Sequence, residues 1–130
     1  MTRLLSVCAA LTALAISAPS AGAADDRERP AGPPQVGKFG CSESVFHLDH
    51  YESEARGFVT LLDAKRYRQG KGSVGTYRYN AKSGVTTFSG GGLGGSTATG
   101  IDGKRTRLFI TVKFSDGETA NWACSWISKK

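Results

Sequence analysis

Side chains suited to covalent or metal chemistry are scarce in this chain. It has three cysteines and two histidines in 130 residues. One cysteine, Cys8, lies in an N-terminal apolar run that reads as part of a signal peptide. The other two, Cys41 and Cys124, form an even pair in an exported chain, and such a pair is read as a disulfide. A paired thiol is no nucleophile, so cysteine-dependent catalysis is excluded. Both histidines sit in VFHLDHYESEARG (residues 45–57). No H-E-x-x-H spacing occurs there, and no later histidine completes a three-ligand set. No stretch carries a capped helical stripe. The apolar run at residues 4–18 is shorter than the ~20 residues of a membrane span. Cys8 follows Val7 rather than a small residue and lies too near the start for a lipoprotein anchor.

What is present begins with an export signal. Arg3, the apolar run and the small-x-small triplet Ala21-Gly22-Ala23 predict a signal peptide over 1–23, cleaved after Ala23. The expected destination is the periplasm or the extracellular space, with no transmembrane segment after processing. Residues 24–35, beginning ADDRERPAGPP, are charged and then proline-rich, and predict a flexible leader. Residues 36–128 are enough for a single β domain.

Within that domain the apolar pattern has a period of two. In RLFITVKF, Leu108, Ile110, Val112 and Phe114 share one face, with Arg107, Thr111 and Lys113 opposite. The following SDGE is a hairpin signal, and TANWACSWI then aligns Trp122, Cys124 and Trp126. VGTYRYN aligns Gly75, Tyr77 and Tyr79, and AKSG turns the chain into VTTFSG, with Gly84 at a position suited to positive φ. FGCS and GFVTLLD predict further strands. Six to eight short strands in so small a domain close on themselves or fold into two layers. Cys41 lies on the first domain strand and Cys124 on the last, and a disulfide requires Cα atoms within about 7 Å. The expected fold is therefore all-β: a small antiparallel barrel, with a two-sheet sandwich as the alternative.

Gly90, Gly92 and Gly95 satisfy G-x-G-x-x-G in spacing. A strand before, a helix after and a βαβ unit around it are needed for dinucleotide binding. The helix signals are missing, and no glycine precedes Lys-Ser or Lys-Thr at P-loop spacing, so a rim loop is expected, with no nucleotide and no cofactor.

Charge is unevenly placed. The whole chain carries 17 Lys and Arg against 11 Asp and Glu, and residues 65–82 hold Lys65, Arg66, Arg68, Lys71, Arg78 and Lys82 with no acid. Interleaved tyrosines evoke a stacking platform for single-stranded nucleic acid, but in TYRY the tyrosines and Arg78 point to opposite sides. Partners expected for such a surface on an exported protein are anionic polysaccharide, lipid head groups or an acidic protein. In the histidine stretch, strand parity places His47, Asp49 and Tyr51 on one face and His50, Glu52 and Glu54 on the other. Were it a metal site, His47, Asp49, His50 and Glu54 would be the ligands. The parity argument instead predicts a polar, solvated connection between the first strand and GFVTLL.

The layout of signal peptide, early cysteine, Gly-x-Tyr strand, FSG turn and late cysteine resembles small secreted bacterial β domains of unknown function. SVGTY (Ser73, Val74, Gly75, Thr76 and Tyr77) is also similar to the Ser-Gly-x-x-Tyr motif of c-type lysozyme inhibitors, with the glycine one place late. That resemblance implies a disulfide-containing barrel and an inhibitory contact through Ser73 and Tyr77. The expectation is an exported, non-catalytic binding domain whose ligand lies in the barrel mouth or on the basic face. Ligand-binding candidates are Arg66, Arg68, Ser73, Tyr77, Arg78, Trp122 and Trp126. The alternatives are an inhibitor of an extracellular or host enzyme such as lysozyme, and a small His/carboxylate hydrolase.

Overall fold

Alternating apolar side chains along short segments produce nine strands among the described residues, joined in one antiparallel sheet. The computed structural model describes residues 29–102 and 106–130; the predicted signal peptide (1–23) and the first part of the leader (24–28) lie outside the described residues. The strands are β1 (Arg29–Pro30), β2 (Gly37–His47), β3 (His50–Leu61), β4 (Arg66–Gln69), β5 (Val74–Asn80), β6 (Val85–Ser89), β7 (Thr97–Asp102), β8 (Arg107–Lys113) and β9 (Thr119–Ser128). From β2 to β9 each strand pairs antiparallel with its successor, and β9 returns to pair with β2. The result is a closed up-and-down barrel of eight strands, which removes the exposed sheet edges that a small β domain must otherwise protect.

Closure places Cys41 directly opposite Cys124 on β2 and β9, and the two are disulfide-bonded with Cα atoms 4.0 Å apart. Leu108, Ile110 and Val112 point inward as the alternation requires. Phe114 does not. Strand β8 stops at Lys113, and the SDGE turn takes over, with the Phe114 N–H donating to the Glu118 carbonyl (2.8 Å), so the Phe114 ring is exposed.

The leader is more anchored than its composition predicts. β1 pairs with Ile101 and Asp102 of β7, and the Ala31 N–H donates to the Gly100 carbonyl (3.1 Å). From there the chain crosses the lower end of the barrel, where Pro33, Pro34, Phe39, Asp102 and Leu108 border a hollow of about 140 Å³.

The upper end, where β2 finishes and β3 begins, is filled by the glycine loop. This loop is ordered around one 3-10 turn, Gly91–Leu93, with Leu93 completely buried. The Tyr67 hydroxyl, reaching up from inside, donates to the Gly90 carbonyl and accepts from the Leu93 N–H (2.9 Å). Gly75 makes room for that ring: a Cβ there would lie 2.5 Å from Tyr67 Cε1 and 2.6 Å from the Gly90 carbonyl oxygen. Packed side chains, including Phe39, Val59, Leu61, Tyr67, Phe88 and Ile110, fill the interior. The loop expected to rim a ligand-binding mouth thus acts as a plug.

Candidate functional site

Two features stand out from the barrel wall, a long hairpin arm and a basic groove. The arm arises because β2 and β3 outlast their neighbours. Pairing of β9 with β2 reaches only as far as Glu43 opposite Trp122, and pairing of β4 with β3 starts at Val59. An extra residue on β3, Arg56, kinks the ribbon where Cys41 pairs with Gly57 but Ser42 pairs with Ala55. From Ser42 to the apex Leu48 the arm extends on the order of 20 Å at strand rise.

The parity expected from an uninterrupted strand is overturned here. The chain reverses at Leu48 and Asp49, so His47 faces His50 across the hairpin, and both share a face with Glu43, Glu52, Glu54 and Arg56. A continuous ladder of charges results. His50 donates from Nδ1 to Asp49 Oδ1 (2.7 Å) and from Nε2 to Glu52 Oε1 (2.8 Å). His47 Nε2 donates to Glu54 Oε1 (3.0 Å) and lies 4.0 Å from Glu52 Oε2. Arg56 joins Glu54 (3.0 Å) to Glu43 (2.6 Å). Donation from both ring nitrogens requires the imidazolium form, and the pKa of His50 is raised above 6.5 by the hydrogen bond to Asp49 and then by that to Glu52, against a smaller opposing effect of burial. His47, Asp49, His50 and Glu54 are therefore neighbours in a ladder. Among the described residues, no group of three or more His, Cys, Asp or Glu side chains is arranged to hold a metal ion.

The opposite face of the arm is apolar towards its end. The Phe46 and Tyr51 rings stack at 5.0 Å, tilted by 55°. Phe46 is 57% exposed, Tyr51 71% and Leu48 97%.

The basic groove lies on the outer wall of β4, β5 and β6. Period two puts Tyr67 and Tyr77 inside and Arg66, Arg68, Thr76 and Arg78 outside. Lys65, Thr76, Arg78, Tyr79, Thr87 and Ser89 border a groove of about 660 Å³, with no carboxylate in its lining. Asp63 shapes its margin. Its carboxylate accepts from the Lys65 and Arg66 N–H groups and pairs with Arg66 Nε (2.7 Å). These contacts, led by the Lys65 N–H and then the Arg66 side chain, hold its pKa below the usual range. A second groove of about 530 Å³ on the β7–β9 side is lined by uncharged groups, among them Ser42, Ser44, Phe109, Thr111 and Asn121.

The seven candidate binding residues separate accordingly. Arg66, Arg68 and Arg78 share the basic wall, and Ser73 is exposed above it in the β4–β5 loop. The Tyr77 ring is in the core, and its hydroxyl donates to the Asp63 carbonyl; burial, followed by the Asp63 charge, raises its pKa. It does not join Ser73 at the surface. Trp122 is 6% exposed and faces the core beside the disulfide strands. Trp126 is half-buried and donates from Nε1 to the Val36 carbonyl (3.2 Å). Sequence reasoning did not single out Thr76, Thr87 and Ser89, although their alternation with buried Tyr77, Thr86 and Phe88 marks them as outward-facing. Leu48 carries no such signal.

The geometry defines a plugged, disulfide-closed eight-stranded barrel with a projecting acidic arm and a basic groove. No protein-family model matches the chain, and no curated protein or solved structure matches it either.

Proposed function

We propose that this chain is an exported, non-catalytic binding domain whose ligand is an anionic polysaccharide held on the β4–β6 wall. The observation that carries the reading is the groove itself, where Lys65 and Arg78 flank a row of outward hydroxyls from Thr76, Thr87 and Ser89 with no acid among them. Cations supply long-range attraction to a polyanion. The hydroxyls can both donate to and accept from the hydroxyl groups of sugar rings. Arg68 extends the positive strip along β4, with Arg66 beside it held in its ion pair with Asp63. The filled barrel interior favours the outer wall over the mouth in this reading, and the histidine–acid ladder lies apart from the groove on the exposed arm.

Titration with polygalacturonate, using dextran as the neutral control, tests the reading. Binding is expected to weaken steeply as the screening length falls from ~10 Å at 0.1 M salt to ~3 Å at 1 M. Arg78→Glu is expected to weaken it at least about tenfold. Equal affinity for dextran, or no binding of polygalacturonate at low salt, would refute it.

A further inference from the structure

The arm presents two features that its own packing leaves unexplained. The first is its apolar end, where Phe46, Leu48 and Tyr51 are all largely exposed and, among the described residues, the two strands pair only with each other. The second is the backbone at Leu48. Its φ is 55°, and the Asp49 N–H donates back to the His47 carbonyl (2.6 Å) across a three-residue turn. A branched, bulky residue rarely adopts that conformation, whereas glycine does so freely. Such outliers cluster at binding sites, where the strain holds a side chain out.

The chemistry beside the apex narrows what can cover it. Asp49 and Glu52 flank the apolar end, with side chains 88% and 56% exposed. These acids oppose insertion into an anionic lipid surface. They call for an apolar hollow rimmed by cations, and this chain carries one. The groove on the β4–β6 wall sets Lys65 and Arg78 beside apolar surface from Pro33, Ala64 and the half-buried Tyr79, next to the hydroxyls of Thr76, Thr87 and Ser89. It runs from the β3–β4 connection at the lower end, where Ala64 and Lys65 lie, up to Ser89 at the end of β6, whereas the arm leaves from the upper end. Two barrels side by side and antiparallel bring each arm towards the other's groove, the self-complementary arrangement of a two-fold dimer.

We propose that the hairpin arm of one copy docks in the basic groove of a second copy, with Leu48 entering the hollow and Asp49 and Glu52 facing Lys65 and Arg78. The inference shares its groove with the polysaccharide reading, but self-association is measured with no glycan present, so either can fail alone.

Sedimentation velocity of the purified protein across a concentration series provides the test. The expected result is a monomer–dimer equilibrium that weakens at least about tenfold between low salt and ~0.5 M salt. Leu48→Gly removes the apex while relaxing the turn, so it is expected to fold normally and lose the dimer. Two charge-reversed proteins, Asp49→Lys with Glu52→Lys and Lys65→Glu with Arg78→Glu, should each be monomeric alone. In the first, the reversed arm faces a native basic groove; in the second, the native arm faces a reversed groove. Mixed in equal amounts they should form a one-to-one complex, joined by one reversed and one native arm–groove contact. A protein that stays monomeric at ~100 µM, a dimer indifferent to Leu48→Gly and to both reversals, or a folded pair that fails to combine would each overturn the proposal.

Discussion

Replacing both members of the Cys41–Cys124 bond by alanine removes a link between residues separated by 83 positions. In the folded barrel these residues are held opposite one another by the β2–β9 ladder, so the native strands stay paired without the bond. The loss falls mainly on the unfolded chain, which regains the freedom that the crosslink had removed. Chain-entropy arguments put that freedom at ~15 cal/mol/K, or ~4.6 kcal/mol at 25 °C. Removing two buried sulfurs adds on the order of 1–2 kcal/mol of lost packing. Urea titration followed by tryptophan fluorescence measures the total, and chemically reduced wild-type protein isolates the crosslink from the packing loss. The reduced protein should be destabilised by ~4–5 kcal/mol, with native-like far-ultraviolet circular dichroism at low urea. A loss below ~2 kcal/mol would refute the reasoning that the bond acts by closing so long a loop.

Tyr67→Phe should lower stability by about 2–4 kcal/mol, because it deletes two hydrogen bonds and leaves the buried Leu93 N–H without its acceptor. Hydrogen exchange at Leu93 and Gly95 should accelerate selectively, and unchanged protection there would argue against the plug. The His50 ring should titrate by NMR with a midpoint above 6.5, and Asp49→Asn should bring it down, since that hydrogen bond is the first cause of the shift. A raised folded-state pKa means that the contribution of His50 to arm order is fully present below about 6.5, its unfolded value, and fades as pH rises through the folded-state pKa. Exchange of the arm amides should therefore quicken between mildly acidic and alkaline buffer beyond the intrinsic pH effect.

Much of the barrel could be read from its sequence because two-residue alternation and turn chemistry agreed. Leu108, Ile110 and Val112 alternate with polar residues, Asp116-Gly117 marks the reversal that follows, and Cys41 and Cys124 tie the first and last barrel strands together. The arm was not legible for the opposite reason. Its turn uses Leu48 and Asp49 where glycine or asparagine is the usual signal for positive φ, so parity was carried straight through a reversal and split the two histidines. The Arg56 bulge shifted the register again. Leu93 was equally hidden, because one leucine among glycines reads as loop until the Tyr67 hydroxyl is seen to hold it. The basic wall was partly visible: charge composition located Arg66, Arg68 and Arg78, whereas two of the three hydroxyls beside them, Thr87 and Ser89, come from β6, a strand the charge pattern did not mark.

The most direct test of the binding reading is to map, by amide chemical shifts, where polygalacturonate touches the protein at a concentration low enough to keep it monomeric. The reading predicts shifts concentrated at Lys65, Thr76, Arg78, Thr87 and Ser89, fading as salt is raised. Shifts confined to the uncharged β7–β9 wall around Phe109 and Asn121, or none at excess polymer, would contradict it.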